Sequence, residues 1–230
     1  ITTSRGCPFQ CIFCVGRKMV GPKVRYRNPE LIVDELTELS NLDFHQINIA
    51  DDLFTASKRH CLAVCDEIIK RGLKIQWTSF ARVDTISPEM LQRMKAAGCT
   101  AVSFGVESGS PEILKRIKKG ITIEQVFKAI KMCTDAGITP QASFILGLPG
   151  ETRRDMLTTA RFLADLAIDG VKLHLLYVIR GTPLEALYRQ GRFHCLAQEE
   201  YASLVCDFIE RLPPRTVIQR VTGDPHPKEL

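Results

Sequence analysis

The chain has 230 residues, 45% hydrophobic and 25% charged, with a formal net charge of +5; this excludes a disordered or fibrous protein and fits one large α/β domain. No apolar run approaches the roughly 20 residues of a membrane span, and the opening ITTSRGCPF has no apolar signal core. Nine cysteines, an odd number, favour reduced or metal-bound thiols over a disulfide scaffold, so the expected location is the cytoplasm. The basic residues read as spread along the chain, which permits an anionic partner without arguing for one.

The chain opens on a β-rich run, Ile1–Ser4, followed by a cysteine-bearing loop. A helix near 29–41 is announced by Asn28-Pro29-Glu30, a capping side chain before a first-turn proline and an acid. A strand at Gln46–Ala50 leads to a helix near 57–71 that Gly72 ends, and Lys74–Ser79 is the next strand. Ser87-Pro88-Glu89 and Gly98 bracket a helix at 87–97, and Thr100–Gly105 follows as a strand. Ser110-Pro111-Glu112 starts a helix at 110–118, and Thr122 with Gln125 forms a capping box for 122–136, which stops at Gly137. Strand Thr139–Leu146, helix 151–167, strand Val171–Val178, helix 183–190 and helix 198–211 complete the pattern. A Pro-rich tail begins at Leu212-Pro213-Pro214.

Strands alternating with crossover helices imply a parallel sheet wound in one hand. About six such units are too few for a closed eight-unit barrel. The expected architecture is an α/β fold, a (β/α)6 partial TIM barrel with a C-terminal helical extension, ahead of a doubly wound sheet. The core is expected over 1–190, with 191–230 packed on it, and function at the carboxyl ends of the strands.

Cys7-Pro8-Phe9-Gln10-Cys11-Ile12-Phe13-Cys14 places three thiols on a loop after the first strand. Soft thiolates select zinc or iron–sulfur. Structural zinc wants a fourth ligand, and no close Cys or His pair supplies one. A cluster with three protein ligands keeps one iron open to a substrate or cofactor. A zinc-stabilised binding protein stays open as the alternative on these residues alone.

The spacing CxxxCxxC, with Phe13 before the third Cys, resembles the signature of the radical S-adenosylmethionine (radical SAM) superfamily. The resemblance implies a 4Fe–4S cluster on Cys7, Cys11 and Cys14 whose open iron chelates SAM. Reduction of that cluster then cleaves SAM to methionine and a 5′-deoxyadenosyl radical. It also implies site residues at successive strand ends. Asp51 and Asp52 stand where the family has a GGE-like segment facing the methionyl amino group. Ser79 and Arg82 follow the third strand. Phe104-Gly105-Val106-Glu107-Ser108 resembles the family's GVES segment, which points to Glu107 and Ser108 at the ribose. Lys119 is at the place of a cation for the SAM carboxylate. Ser143, Ile145 and Gly147, in the element ending Gly147-Leu148-Pro149-Gly150-Glu151-Thr152, should frame adenine with Phe13, Tyr177 and Val178.

The first two thirds resemble the cobalamin-associated and oxidative-cyclase branch. From Val171 onward the chain is similar to the branch related to the elongator radical SAM domain, which makes tRNA a candidate substrate beside a small molecule. A flavodoxin- or ferredoxin-like protein is the expected one-electron reductant, and the chain is expected to be a monomer. A minimal or engineered core without a dedicated substrate is the further alternative. Cys61, Cys65, Cys99 and Cys133 read as small core residues, Cys195 lies in a less regular stretch, and the five histidines form no ligand-spaced pair.

Overall fold

A computed structural model describes residues 1–166 and 168–223. The tail beyond 223, which includes His226, lies outside the described residues, as does Ala167 at the end of the expected helix 151–167. The elements run β1 (Ser4–Arg5), α1 (Gly16–Val20), β2 (Arg25–Tyr26), α2 (Pro29–Asn41), β3 (Gln46–Ile49), a 3₁₀ turn at Phe54–Ala56, α3 (Lys58–Lys70) and β4 (Gln76–Ala81). They continue with α4 (Pro88–Ala96), β5 (Cys99–Glu107), α5 (Pro111–Arg116), α6 (Ile123–Asp135), β6 (Thr139–Leu146) and α7 (Arg153–Asp165). Last come β7 (Gly170–Leu175), α8 (Pro183–Arg189), α9 (Gln198–Ile209) and β8 (Val217–Arg220).

The expected caps form. Asn28, Ser87, Ser110 and Thr122 each accept a backbone N–H from the first turn of their helix, and Thr122 with Gln125 closes the capping box. These side chains satisfy donors that the helix itself leaves unpaired, which fixes where each helix begins.

Strands β3 to β8 form one parallel sheet in sequential order, so each crossover moves the chain one place along. The result is a curled half-barrel, the expected partial TIM barrel, but its six strands are not the expected six. The opening run contributes only Ser4–Arg5, which pairs antiparallel with β2. Ile1 merely brackets the sheet edge, its amino group donating to the Asn48 carbonyl at 2.9 Å while its own carbonyl accepts from Ala50 at 2.8 Å. The sixth place is filled by β8 from the Pro-rich tail, where the Pro213-Pro214 step hides the β-branched run Thr216-Val217-Ile218. Strand β7 ends at Leu175, so Tyr177 and Val178 lie on the loop beyond it.

The sheet's outer face meets the helices. Trp77, Phe104 and Phe144 are fully buried there, and the Trp77 indole donates to the Ala97 carbonyl at 2.8 Å. Cys61, Cys65, Cys99 and Cys133 are buried in the same layer as small apolar residues, as expected. Among the described residues no helix is long and apolar enough to cross a membrane.

Candidate cofactor site

At the carboxyl end of the sheet lies a cleft of about 380 Å³. The cysteine loop forms one wall through Cys7, Cys11 and Cys14, with Phe9 and Phe13 beside them. The strand ends form the other walls, and Asp52, Arg82, Glu107, Lys119, Ser143, Ile145 and Tyr177 all line it. The loop is held in place by backbone. Cys7 donates to Gly21 at 3.1 Å, Ile12 donates to Ile117 at 3.1 Å, and the Ile12 carbonyl accepts from Leu184 at 3.0 Å. Gly6, at φ +119°, lets the segment pass 2.4 Å from the Lys23 carbonyl where any Cβ would sit. Its N–H donates to Asp52 at 3.1 Å, which ties the loop to the end of β3.

Two ion pairs stand next to the cysteines. Arg82 binds Asp84 through two 2.9 Å hydrogen bonds, donates to the Lys119 carbonyl at 2.7 Å, and places its guanidinium 3.5 Å from the centre of the Phe9 ring. Lys119 donates to Glu107 at 2.7 Å with both side chains buried. Glu107 holds φ +77°, a strained conformation for a residue with a Cβ and one that clusters at functional sites. A side chain on Gly105 would come within 2.6 Å of the Glu107 carboxylate, so glycine there keeps room for the pair.

Burial pushes the Cys11 thiol up, with Lys119 and Arg82 pulling the other way. Burial also raises Cys14, opposed by the Gly16 N–H that points at its sulfur from 3.3 Å. Both favour the protonated thiol until a metal supplies the positive charge. Among the described residues no three or more His, Cys, Asp or Glu side chains are drawn together as a ready-made single-ion site. Structural zinc wants a fourth ligand, and the loop offers three thiols. An iron–sulfur cluster suits them better, since thiolates hold the cluster between them and three leave a corner free.

Five expected site residues do not line the cleft. Asp51 accepts from the Thr3 N–H at 2.5 Å and from the Thr3 and Ser4 hydroxyls at 2.6 Å, so its oxygens anchor the opening segment. Ser79 shares the outward phase of Trp77 on β4 and is buried without a hydrogen-bond partner among the described residues. Ser108 is fully buried and donates to Glu151 at 3.1 Å. Gly147 has its N–H on Glu151 at 3.0 Å, and a Cβ on it would meet the Leu196 side chain at 3.1 Å. Val178 packs partly buried against the core.

The sequence reading missed Phe9, His174 and Glu151. Periodicity places His174 on β7, and Phe9 sits inside the cysteine motif, but neither signal shows which way the side chain faces. Glu151 accepts from the Gly147 and Leu148 N–H groups at 3.0 and 3.1 Å and so ties the end of β6 to Ser108. Burial pushes its carboxyl from 4.5 up to about 7, against the pull of those hydrogen bonds. A folded pKa above the unfolded one gives stability that is full below about pH 4.5 and lost as pH rises through about 7. Glu151→Gln keeps an acceptor for both N–H groups and removes the titration. Its thermal stability relative to the wild type is expected to improve between about pH 5 and pH 8, by on the order of 2–3 kcal/mol. Unfolding curves for the two proteins that stay parallel over this range would sink this account.

Residues 1–163 match the family model of the radical SAM superfamily. The chain belongs to the radical SAM superfamily. Residues 168–230 match the model of the radical SAM C-terminal domain, so the two models meet close to Val171, where the sequence changes character. Radical SAM proteins are enzymes whose structures bind a 4Fe–4S cluster and SAM. An uncharacterised methyltransferase of Pyrococcus horikoshii is 37% identical over 185 residues, covering 80% of this chain and 40% of that protein. The anaerobic magnesium-protoporphyrin IX monomethyl ester cyclase of Rubrivivax gelatinosus is 34% identical over 165 residues, covering 70% of this chain and 30% of that one. The chain thus spans less than half the length of these relatives. The radical SAM methyltransferase TsrM of Kitasatospora setae, solved with cobalamin and a 4Fe–4S cluster, has the same fold at a TM-score of 0.81 and 18% identity, over 94% of this chain and 53% of TsrM.

Proposed function

We propose that this chain is the catalytic core of a radical SAM enzyme, with the cluster held by Cys7, Cys11 and Cys14 and SAM in the adjoining cleft. When bound and reduced, the cluster supplies the electron that cleaves SAM to methionine and a 5′-deoxyadenosyl radical. The observation that carries this reading is that the three-cysteine loop and the ends of β3 to β7 line one cleft.

The chain's own work is positioning and exclusion of water. Asp52 offers a carboxylate to the methionyl amino group, and Lys119 and Arg82 offer positive charge to the methionyl carboxylate. Glu107 is suited to the ribose hydroxyls, because a carboxylate accepts two O–H groups at once. Phe13, Ser143, Ile145 and Tyr177 offer the adenine a largely apolar slot with few polar contacts. Asp51, Ser79, Ser108, Gly147 and Val178 serve from behind, fixing the strands and loops that carry these groups. Arg5, Arg17, Lys18, Lys23 and Arg25 precede the first acid of the chain, Glu30, and flank the cysteine loop. That local basic character, unlike the even spread expected, suits an acidic one-electron donor of the flavodoxin or ferredoxin kind.

The test is anaerobic reconstitution with iron and sulfide, then reduction in the presence of SAM and assay for 5′-deoxyadenosine. A chain that takes up iron and sulfide and forms 5′-deoxyadenosine supports the reading. A cluster-loaded chain that never cleaves SAM sinks it.

A further inference from the structure

The concave face of the sheet holds positive charge that the cofactor contacts leave unused. Next to the cysteines the charges are matched, Arg82 with Asp84 and Lys119 with Glu107. Farther along the same face, on β7, Lys172 is not matched. Its ammonium lies 3.4 Å from the Ser103 hydroxyl and 5.3 Å from the centre of the Phe80 ring, and it makes no ion pair among the described residues. Ser103 and Phe80 both line the cleft. Arg220 stands directly opposite Lys172 in the register of β8 and likewise makes no ion pair among the described residues. His174, two residues along β7, lines the cleft too.

These groups repel one another. Burial, and then the Arg220 charge, lower the Lys172 pKa, and the same two causes lead for His174. A half-buried ammonium whose neighbours are a neutral hydroxyl and the Phe80 ring, with no carboxylate beside it among the described residues, is costly. Beside it Phe80 is 39% exposed, a large aromatic left uncovered in a cleft. Unmatched charge next to an uncovered ring is the pattern of a site whose ligand supplies the missing halves. On β7 Lys172 precedes His174 and Leu175, which line the cleft at the strand's carboxyl end, so Lys172 and its register partner Arg220 sit deeper in the sheet than the cysteine loop. That places them where a second molecule would lie, beyond SAM.

Resting on the reading of the cleft as a SAM-cleaving site, we infer that its substrate carries an oxyanion, a carboxylate or a phosphate, held by Lys172 and Arg220 beside the face of Phe80. A charge-assisted hydrogen bond from each cation to one oxyanion relieves the mutual repulsion and fixes one end of the substrate. The apolar part next to that group covers Phe80, and the remainder extends toward the strand ends where the radical is generated.

The test uses the full chain and two probes, pyrophosphate and citrate. Lysine acetylation is followed residue by residue by mass spectrometry, with and without each probe. One probe is expected to slow acetylation of Lys172 about tenfold while Lys128, exposed on α6, is unaffected, and the protection should persist in saturating SAM. Protection by citrate alone assigns a carboxylate, and by pyrophosphate alone a phosphate. In Arg220→Met the protection should weaken about tenfold; calorimetric titration of Lys172→Met with the same probe should show a similar loss. The inference is overturned if neither probe protects Lys172, if Lys128 is protected equally, or if Arg220→Met keeps full protection. Protection that SAM abolishes also overturns it, because the cations would then serve the cofactor. A chain that forms 5′-deoxyadenosine without protection keeps its reaction and loses only the anionic substrate. A chain that is protected but never cleaves SAM does the reverse.

Discussion

Replacing Cys11 with alanine is expected to abolish 5′-deoxyadenosine formation while leaving the fold in place. The side chain is half-buried against the cleft, and what Cys11 gives its neighbours is backbone, its carbonyl accepting from Cys14 at 3.3 Å. Alanine keeps that bond and removes a single sulfur from a surface already open. The stability loss should be about 1 kcal/mol or less, the ordinary scale for a small truncation outside the core. Function responds differently, since one ligand of three is lost and the loop contains no spare donor. Iron and sulfide bound per chain should fall sharply, and SAM cleavage should drop to background. Cys206→Ala is the matched control, because that thiol is exposed on α9 and does not line the cleft. Circular dichroism on both variants checks the fold. Wild-type cleavage by Cys11→Ala would remove Cys11 from the cluster.

What the sequence shows of this molecule is what depends on neighbours close in the chain. Caps at Asn28, Ser87, Ser110 and Thr122 need only three or four residues to act, so they are readable and correct. The cysteine loop is local for the same reason. Strand β8 is not, because its short β-branched run follows Pro213-Pro214 and becomes a strand by pairing with β7, which lies across α8 and α9. The inward or outward phase of a site residue is intermediate. Trp77 must face the helices for its size, and on a strand of period two that turns Ser79 the same way and Phe80 into the cleft. That inference was available from the sequence, and the family resemblance obscured it. Ser108, Gly147 and Glu151 were harder. Ser108 meets Glu151 across 43 residues of chain, and only the packed loops show that this carboxylate joins it to Gly147. Glu107 was legible as a type of residue and not as a strained one, since nothing in its neighbours demands φ +77°.

The Glu107–Lys119 pair yields the largest expected change in stability. Their side chains are only 10% and 7% exposed, and the 2.7 Å contact is what makes two charges tolerable there. Lys119→Met leaves the Glu107 carboxylate buried without its partner, and losses of about 3–5 kcal/mol are typical of that situation. In a domain of this size such a loss lowers the melting temperature by on the order of 10 °C. The Arg82 guanidinium still finds the backbone carbonyl at position 119, so the damage should centre on Glu107 rather than on the Arg82–Asp84 pair. Lys119→Arg should recover most of the loss. So should the double variant Lys119→Met with Glu107→Leu, because removing both charges also removes the desolvation that they impose on each other. Cofactor binding separates the two rescues. The arginine variant restores a cation to the cleft and should bind SAM, whereas the apolar double variant should be stable and bind it poorly. Thermal unfolding and SAM titration of the same preparations test both halves. A Lys119→Met melting temperature equal to that of the wild type would mean that the pair is solvated and gives the fold nothing. Strong SAM binding by the double variant would mean that neither charge faces the cofactor.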